Sequence, residues 1–355
     1  MGLKNWCVNM NLIDKIRAEP EMWDLFTKKE EYNPLLLDQY ERFPYYLSKH
    51  KDVMEPTLSK YLINNGLTPK YADGKKFAVC LTHDIDVIKQ TLTNCAVESV
   101  KSTMKGDYIN SLQYTISGLD KKQHPFRDFE RIMEIEDKYS AKSSFYFLAL
   151  KPGEKDYNYD LGEISDKIRE ISDNGWEVGL HGGHESYNDI KVMVQEKKLL
   201  ESVLEKKVIG YRNHYLRFKT PDTWELLSKA GFKYDTTFGY ADCAGFRNGM
   251  CHPFKPFNLN TEKEIDILEI PLAIMDRTLL KDYMRLNFEK AWKLTKQLID
   301  SVERCNGVIT ILWHNNSMDG DYLKFYEKIL KYCSDKNAWM TSGEEIFKNY
   351  TQIKE

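Results

Sequence analysis

The sequence predicts an α/β protein in which a parallel sheet, wrapped by helices, closes toward a distorted barrel. Three observations lead there. From Lys76 onward, short apolar runs alternate with stretches of helical period. About seven such units follow one another, too many for a small open sheet. Chemically capable polar residues stand directly after several of the apolar runs, and the C-terminal ends of parallel strands collect on one face.

Residues 1–75 precede this pattern and predict a mainly helical N-terminal extension; residues 76–355 predict the catalytic barrel. In the extension, Asn11–Lys29 and Leu35–Ser48 read as short amphipathic helices, with breaks at Glu19-Pro20 and Asn33-Pro34. Its aromatics, Trp6, Trp23, Phe26, Tyr32, Tyr40, Phe43, Tyr45 and Tyr46, suit packing on the main domain, with a wall for sugar rings as the alternative. Phe77–Leu81 is the first strand. Residues 88–124 form a connection long enough to act as a lid. Phe126 to Ile135 reads as a helix and Ser143–Leu150 as the second strand. A helix carrying Ile164, Ile168 and Ile171 stops at Asn174-Gly175, before a third strand at Trp176–Leu180.

Val192–Leu204 is helical and Lys207–Tyr211 is the fourth strand. Pro221 opens a helix that Gly231 ends, and Phe232–Phe238 reads as the fifth strand. After an irregular stretch, Tyr240–Asn260, come a sixth strand at Asp266–Pro271, a helix over 284–303 and a seventh strand at Gly307–Trp313. A helix through Glu327–Tyr332, a short strand Ala338–Thr341 and a capping box at Ser342–Glu345 finish the chain.

Composition narrows the function. Hydrophobic residues make up 42% of the 355, enough for a sizeable core, and charges are interspersed to a net of −3. No basic field for nucleic acid results, and Lys121-Lys122 reads as solvated surface. Seven cysteines without a Cys-x-x-Cys pair argue against a thiolate zinc site or a disulfide framework. No secretory apolar region or membrane span is evident, so a cytoplasmic location and no protein partner are the expectations.

The stretch Thr82-His83-Asp84-Ile85-Asp86 follows the first strand. Its plain reading is an Asx turn. Its chemical reading gives one carboxylate to a metal and leaves the other to take a proton. His181 and His184 stand in Gly179-Leu180-His181-Gly182-Gly183-His184 after strand three, and the two glycines imply a close backbone approach. Arg212, His214 and Tyr215 follow strand four, and His314 follows strand seven. An Asp with two His makes a divalent-cation site, with zinc the first expectation and cobalt or manganese as alternatives. Such an ion acidifies water and polarises a carbonyl. An adjacent free carboxylate, a His acid and an Arg complete the parts for amide or ester hydrolysis.

These motifs resemble the polysaccharide deacetylase (NodB-homology, carbohydrate esterase) superfamily, from about Lys76 to the C-terminus. The first motif appears in its Thr-His-Asp-x-Asp variant. The resemblance implies a distorted (β/α)7 barrel that removes acetyl groups from N-acetylated carbohydrate. It implies Asp84 as general base, Asp86, His181 and His184 as metal ligands, Arg212 as the residue orienting the base, and His314 as general acid. The usual second motif spaces its histidines four apart; here the spacing is three, and Glu185 occupies the fourth place as the alternative ligand to His184. His214, Tyr215, Trp313 and Asp235 are candidate substrate contacts, Trp313 as a wall and Asp235 alternatively as support for His314. A degenerate carbohydrate-binding barrel and a hydrolase of a non-sugar amide are the competing readings.

Overall fold

The computed structural model describes residues 10–90, 92–104, 106–119 and 124–352. Trp6, Cys7 and Lys121-Lys122 lie outside the described residues. Apolar runs form the expected strands: β1 (Ala78–Ile85), β2 (Ser144–Leu148), β3 (Glu177–Gly182), β4 (Gly210–Asn213) and β5 (Tyr234–Asp235). A small antiparallel pair, β6 (Phe257–Asn258) and β7 (Lys263–Glu264), stands apart. Then come β8 (Leu268–Glu269), β9 (Leu272–Met275), β10 (Val308–Leu312) and β11 (Trp339–Thr341). All strands of the main sheet pair in parallel, in the order β8-β5-β4-β3-β2-β1-β10-β9.

The ends of that order explain the shape. β8 pairs with β5 and β9 pairs with β10, yet only Ile270 and Pro271 separate β8 from β9 in the chain. One stretch therefore touches both edges, and the sheet curls into an incomplete barrel. Pro271 has no N–H to offer a ladder, which suits it to the gap. β1 runs through the middle: its first half lies between β10 and β11, its second half between β10 and β2. Every residue of β1 is buried, as a strand covered on both faces requires.

Helices cover the outside. Phe129–Asp137, Ile190–Leu204 and Phe288–Arg304 start at side-chain caps from Asp128, Asp189 and Asn287. Beneath the site, buried Glu136 accepts from Trp176 Nε1 at 2.6 Å and Tyr326 Oη at 2.7 Å and meets His83 Nε2 at 2.9 Å. This satisfied network braces the back of β1.

Four expectations need correction. Leu35–Ser48 is not helical beyond the single turn Tyr45–Leu47, because prolines at 34 and 44 bracket it; the helix Thr57–Asn64 stands further on. The fifth strand shrinks to Tyr234–Asp235, after which Thr236 turns its hydroxyl onto the carbonyl of Tyr211. The sixth strand splits at Ile270-Pro271 into β8 and β9, and the second piece reaches Met275. The 88–124 connection carries two helices, Leu92–Met104 and Tyr108–Leu119. The extension is tied down by ions: Arg247 grips Glu31 with Nε at 3.0 Å and Nη2 at 2.6 Å, both groups buried.

Candidate active site and metal centre

The strand ends place the acidic and basic groups around one cavity of about 270 Å³. Asp84 and Asp86 close β1, His181 lies in β3, Arg212 lies in β4, and His214 follows it. Asp86 Oδ1 is 3.2 Å from His181 Nε2 and 3.5 Å from His214 Nδ1, and the two imidazole nitrogens are 3.0 Å apart. One ligand atom from each of these three residues lies within 4.8 Å of the others. His181 Nδ1 donates to the Arg212 carbonyl at 3.0 Å, so in the neutral ring Nε2 is the lone pair facing the cluster.

The third member of this cluster is therefore His214. His184 lies apart, with Nε2 2.6 Å from Lys155 Nζ, Nδ1 2.7 Å from Glu185, and its carbonyl held by Arg217. A spacing of three in the Gly-rich turn carries its ring away from Asp86. The glycines make room for the protein itself: a Cβ on Gly182 would enter the Tyr211 ring, and one on Gly183 would meet the Glu196 carboxylate.

The electrostatics favour a cation. Burial alone would raise the Asp86 carboxyl, but His214, His181 and His314 pull it far below the usual carboxylate range. Burial lowers His214 to about 4, so its ring is a neutral ligand near pH 7. The buried oxygens Asp86 Oδ1 and Asp84 Oδ1 have no hydrogen-bond partner. One carboxylate and two imidazoles with unpaired oxygen beside them fit zinc or a similar divalent ion.

Asp84 sits next to this cluster, its Oδ2 3.7 Å from His181 Nε2. Arg212 lies beneath it at 3.9 Å and is locked by Thr236 Oγ1 at 3.0 Å, Thr82 Oγ1 at 2.9 Å and the Tyr146 ring. Opposite, His314 Nε2 is 3.7 Å from Asp86 Oδ2. Its Nδ1 meets Asp276 Oδ1 at 2.6 Å. Burial lowers the His314 value, but Asp276 outweighs it and brings the ring up to about 9. Asp276 itself is brought down to about 2, burial opposing and His314 prevailing.

Asp235 does not support His314. It is buried in the β5 layer, taking the Thr237 hydroxyl at 2.6 Å. Trp313 is no cavity wall either: it is fully buried, stacked on Phe325 with centroids 5.7 Å apart. Side chains alternate along the strand, so Trp313 faces inward where His314 faces the cavity.

Sequence reasoning missed Asp276 because it ended the sixth strand at Pro271. The apolar run Leu272–Met275 followed by an acid was the available signal. It also missed Asp156, whose Oδ2 is 3.9 Å from His214 Nε2 and whose Oδ1 accepts from Tyr215 Oη at 3.1 Å. No signal announced the wall from the extension. Tyr40 stacks on Tyr215 at 4.6 Å, and Arg42 donates to the Tyr215 carbonyl at 2.5 Å and to Tyr283 Oη at 2.6 Å.

No protein-family model matches the sequence, and no curated protein matches it. Solved structures do. The chain is similar to a "putative polysaccharide deacetylase" from Mycobacterium smegmatis, at 18% identity and a TM-score of 0.56, over 80% of this chain and 93% of that one. The polysaccharide deacetylase Bc1974 from Bacillus cereus matches at 12% identity and 0.39, over 75% and 91%. BA3943 from Bacillus anthracis, a CE4 family pseudoenzyme, matches at 13% and 0.38, over 93% and 82%. The first of these likenesses establishes the fold class: the chain has the polysaccharide deacetylase fold, a curled parallel sheet of the NodB-homology type.

Proposed function

We propose that the protein is a metal-dependent hydrolase that removes an acetyl group from an N-acetylated sugar. The observation that carries this reading is the convergence of Asp86, His181 and His214 beside a second carboxylate, with the His314–Asp276 pair opposite. A divalent cation held by Asp86, His181 and His214 would act as a Lewis acid toward the acetyl oxygen and would acidify water. Asp84 takes the proton of the attacking water, and Arg212 keeps that carboxylate oriented. His314 Nε2, with Nδ1 committed to Asp276, delivers a proton to the nitrogen as the C–N bond breaks. Acetate and a free amine leave. The cavity volume, just under the roughly 300–1,000 Å³ of small-molecule sites, suits one acylamino sugar ring. Tyr40, Tyr215 and Tyr283 supply aromatic surface at its wall.

The test is acetate release from N-acetylated hexosamines and their oligomers by the metal-loaded protein. Asp84→Asn is expected to lose roughly 10²–10⁴-fold in kcat, the usual contribution of a general base, while retaining the metal. Turnover undiminished in that variant would remove Asp84 from the mechanism. Sugar binding without any turnover in the parent would favour the non-catalytic barrel.

A further inference from the structure

The two helices after β1 are organised inside out. On Leu92–Met104, the side chains of Val97, Val100 and Met104 form an i, i+3, i+7 stripe exposed to solvent. On Tyr108–Leu119, Ile109, Leu112 and Ile116 repeat that stripe. Met104 is 83% and Ile109 75% exposed, far beyond what scattered surface apolar residues require. The opposite faces meet through hydroxyls. Ser99 Oγ lies 3.0 Å from Ser111 Oγ and 2.8 Å from Thr115 Oγ1, and Thr103 Oγ1 lies 2.7 Å from Ser111 Oγ. Helix pairs in water place the apolar stripe in the seam; small hydroxyl residues in the seam and apolar residues outside are the arrangement of helix pairs in lipid.

We propose that this hairpin seats its outer face in the apolar layer of an anionic lipid surface. Four further facts fit a lipid surface. Residues 89–122 carry Lys89, Lys101, Lys105, Lys121 and Lys122 against Glu98, Asp107 and Asp120, a local +2 (5 − 3) in a chain of net −3. The helices, at 13 and 12 residues, are about 18–20 Å long at 1.5 Å per residue, so they lie in the interface and do not cross a core of about 30 Å. The hairpin stands at the catalytic end of the barrel: Tyr114 Oη donates to Asp319 Oδ2 at 2.7 Å, five residues after His314, and Val87 lines the cavity. A second exposed apolar run, Leu35-Leu36-Leu37, ends three residues before Tyr40, which lines the same cavity. Docking would hold the cavity at the lipid surface, where a lipid-borne sugar presents itself.

The experiment is flotation of the full chain with phosphatidylglycerol and phosphatidylcholine vesicles, alongside its molar mass in solution. The expected result is flotation with phosphatidylglycerol vesicles, reduced roughly tenfold or more by Ile109→Asp, since one fully buried aliphatic side chain is worth about that factor. Leu112→Asp, on the same face, is the second variant; both positions are exposed, so neither substitution disturbs the packing. A protein that stays in solution with both kinds of vesicle overturns the proposal. So does flotation unchanged by either variant, and so does a dimer that ignores vesicles and that Ile109→Asp dissociates, which would assign the face to a second copy. The readout is independent of acetate release, so this inference and the proposed reaction fail separately.

Discussion

His184 and His214, from different strand ends, compete for one role, and distance separates them. His214 Nδ1 approaches Asp86 to 3.5 Å, whereas both ring nitrogens of His184 are taken by neighbours. His214→Ala is therefore expected to weaken zinc or cobalt affinity by more than the roughly 10–100-fold that loss of a supporting partner costs, and His184→Ala to leave it within a few-fold. Competition against a chromophoric chelator measures both; the reverse order would return the site to the motif's histidine pair. Asp156→Asn removes the carboxylate behind His214 and is expected to fall in the 10–100-fold range itself. Asp276→Asn leaves the cluster whole but frees the His314 ring, so kcat falls while metal affinity holds.

Elements are joined by a few buried charges. The segment around Glu31 is held to the barrel by the bidentate pair with Arg247, and Thr220 Oγ1 adds a bond to Glu31 at 2.9 Å. Arg217, itself buried, binds the exposed Glu41 of the extension, the Tyr40 carbonyl and the His184 carbonyl. The second clamp is what brings Tyr40 and Arg42 to the cavity. Arg247→Ala takes the bidentate partner from buried Glu31 and leaves it only Lys28 Nζ at 3.7 Å and the Thr220 hydroxyl, and breaking a buried pair costs up to about 3–5 kcal/mol. Urea unfolding measures it, and a loss below 1 kcal/mol would take the Arg247–Glu31 pair out of the account of how the extension is held.

Across the whole molecule, His252 is a joint. Its Nδ1 meets Ser59 Oγ of the helix Thr57–Asn64 at 2.9 Å, and its Nε2 meets the Cys305 carbonyl at 3.0 Å, beyond the helix Phe288–Arg304. Burial lowers it from 6.5 to about 4 in the folded chain. As pH falls from 6.5 toward 4, the unfolded chain takes up a proton that the folded chain refuses. Stability from this residue is full above pH 6.5 and declines across that window, by on the order of 3 kcal/mol. Urea unfolding at pH 7 and pH 5 is expected to show a shallower decline in His252→Gln than in the parent. Equal declines would take His252 out of the account.

Local chemistry in the sequence determined much of this protein. Runs such as Val308–Leu312 are too apolar to stay in water, and parallel pairing brings their polar ends together, so Asp84, Asp86, His181, Arg212 and His314 were legible as one set. Tertiary structure alone decided which further groups join them. His214 and not His184 joins Asp86 and His181 because clustering is set by distance across the barrel, and a turn of two glycines carries no mark of where its next ring points. Asp276 became the partner of His314 through the break at Ile270-Pro271, which splits one strand between two sheet edges. Tyr40 and Arg42 reached the cavity through Arg217 and Arg247, contacts between residues more than 170 apart in the chain. Periodicity is a property of neighbours in sequence, and those contacts exist only once the sheet has curled.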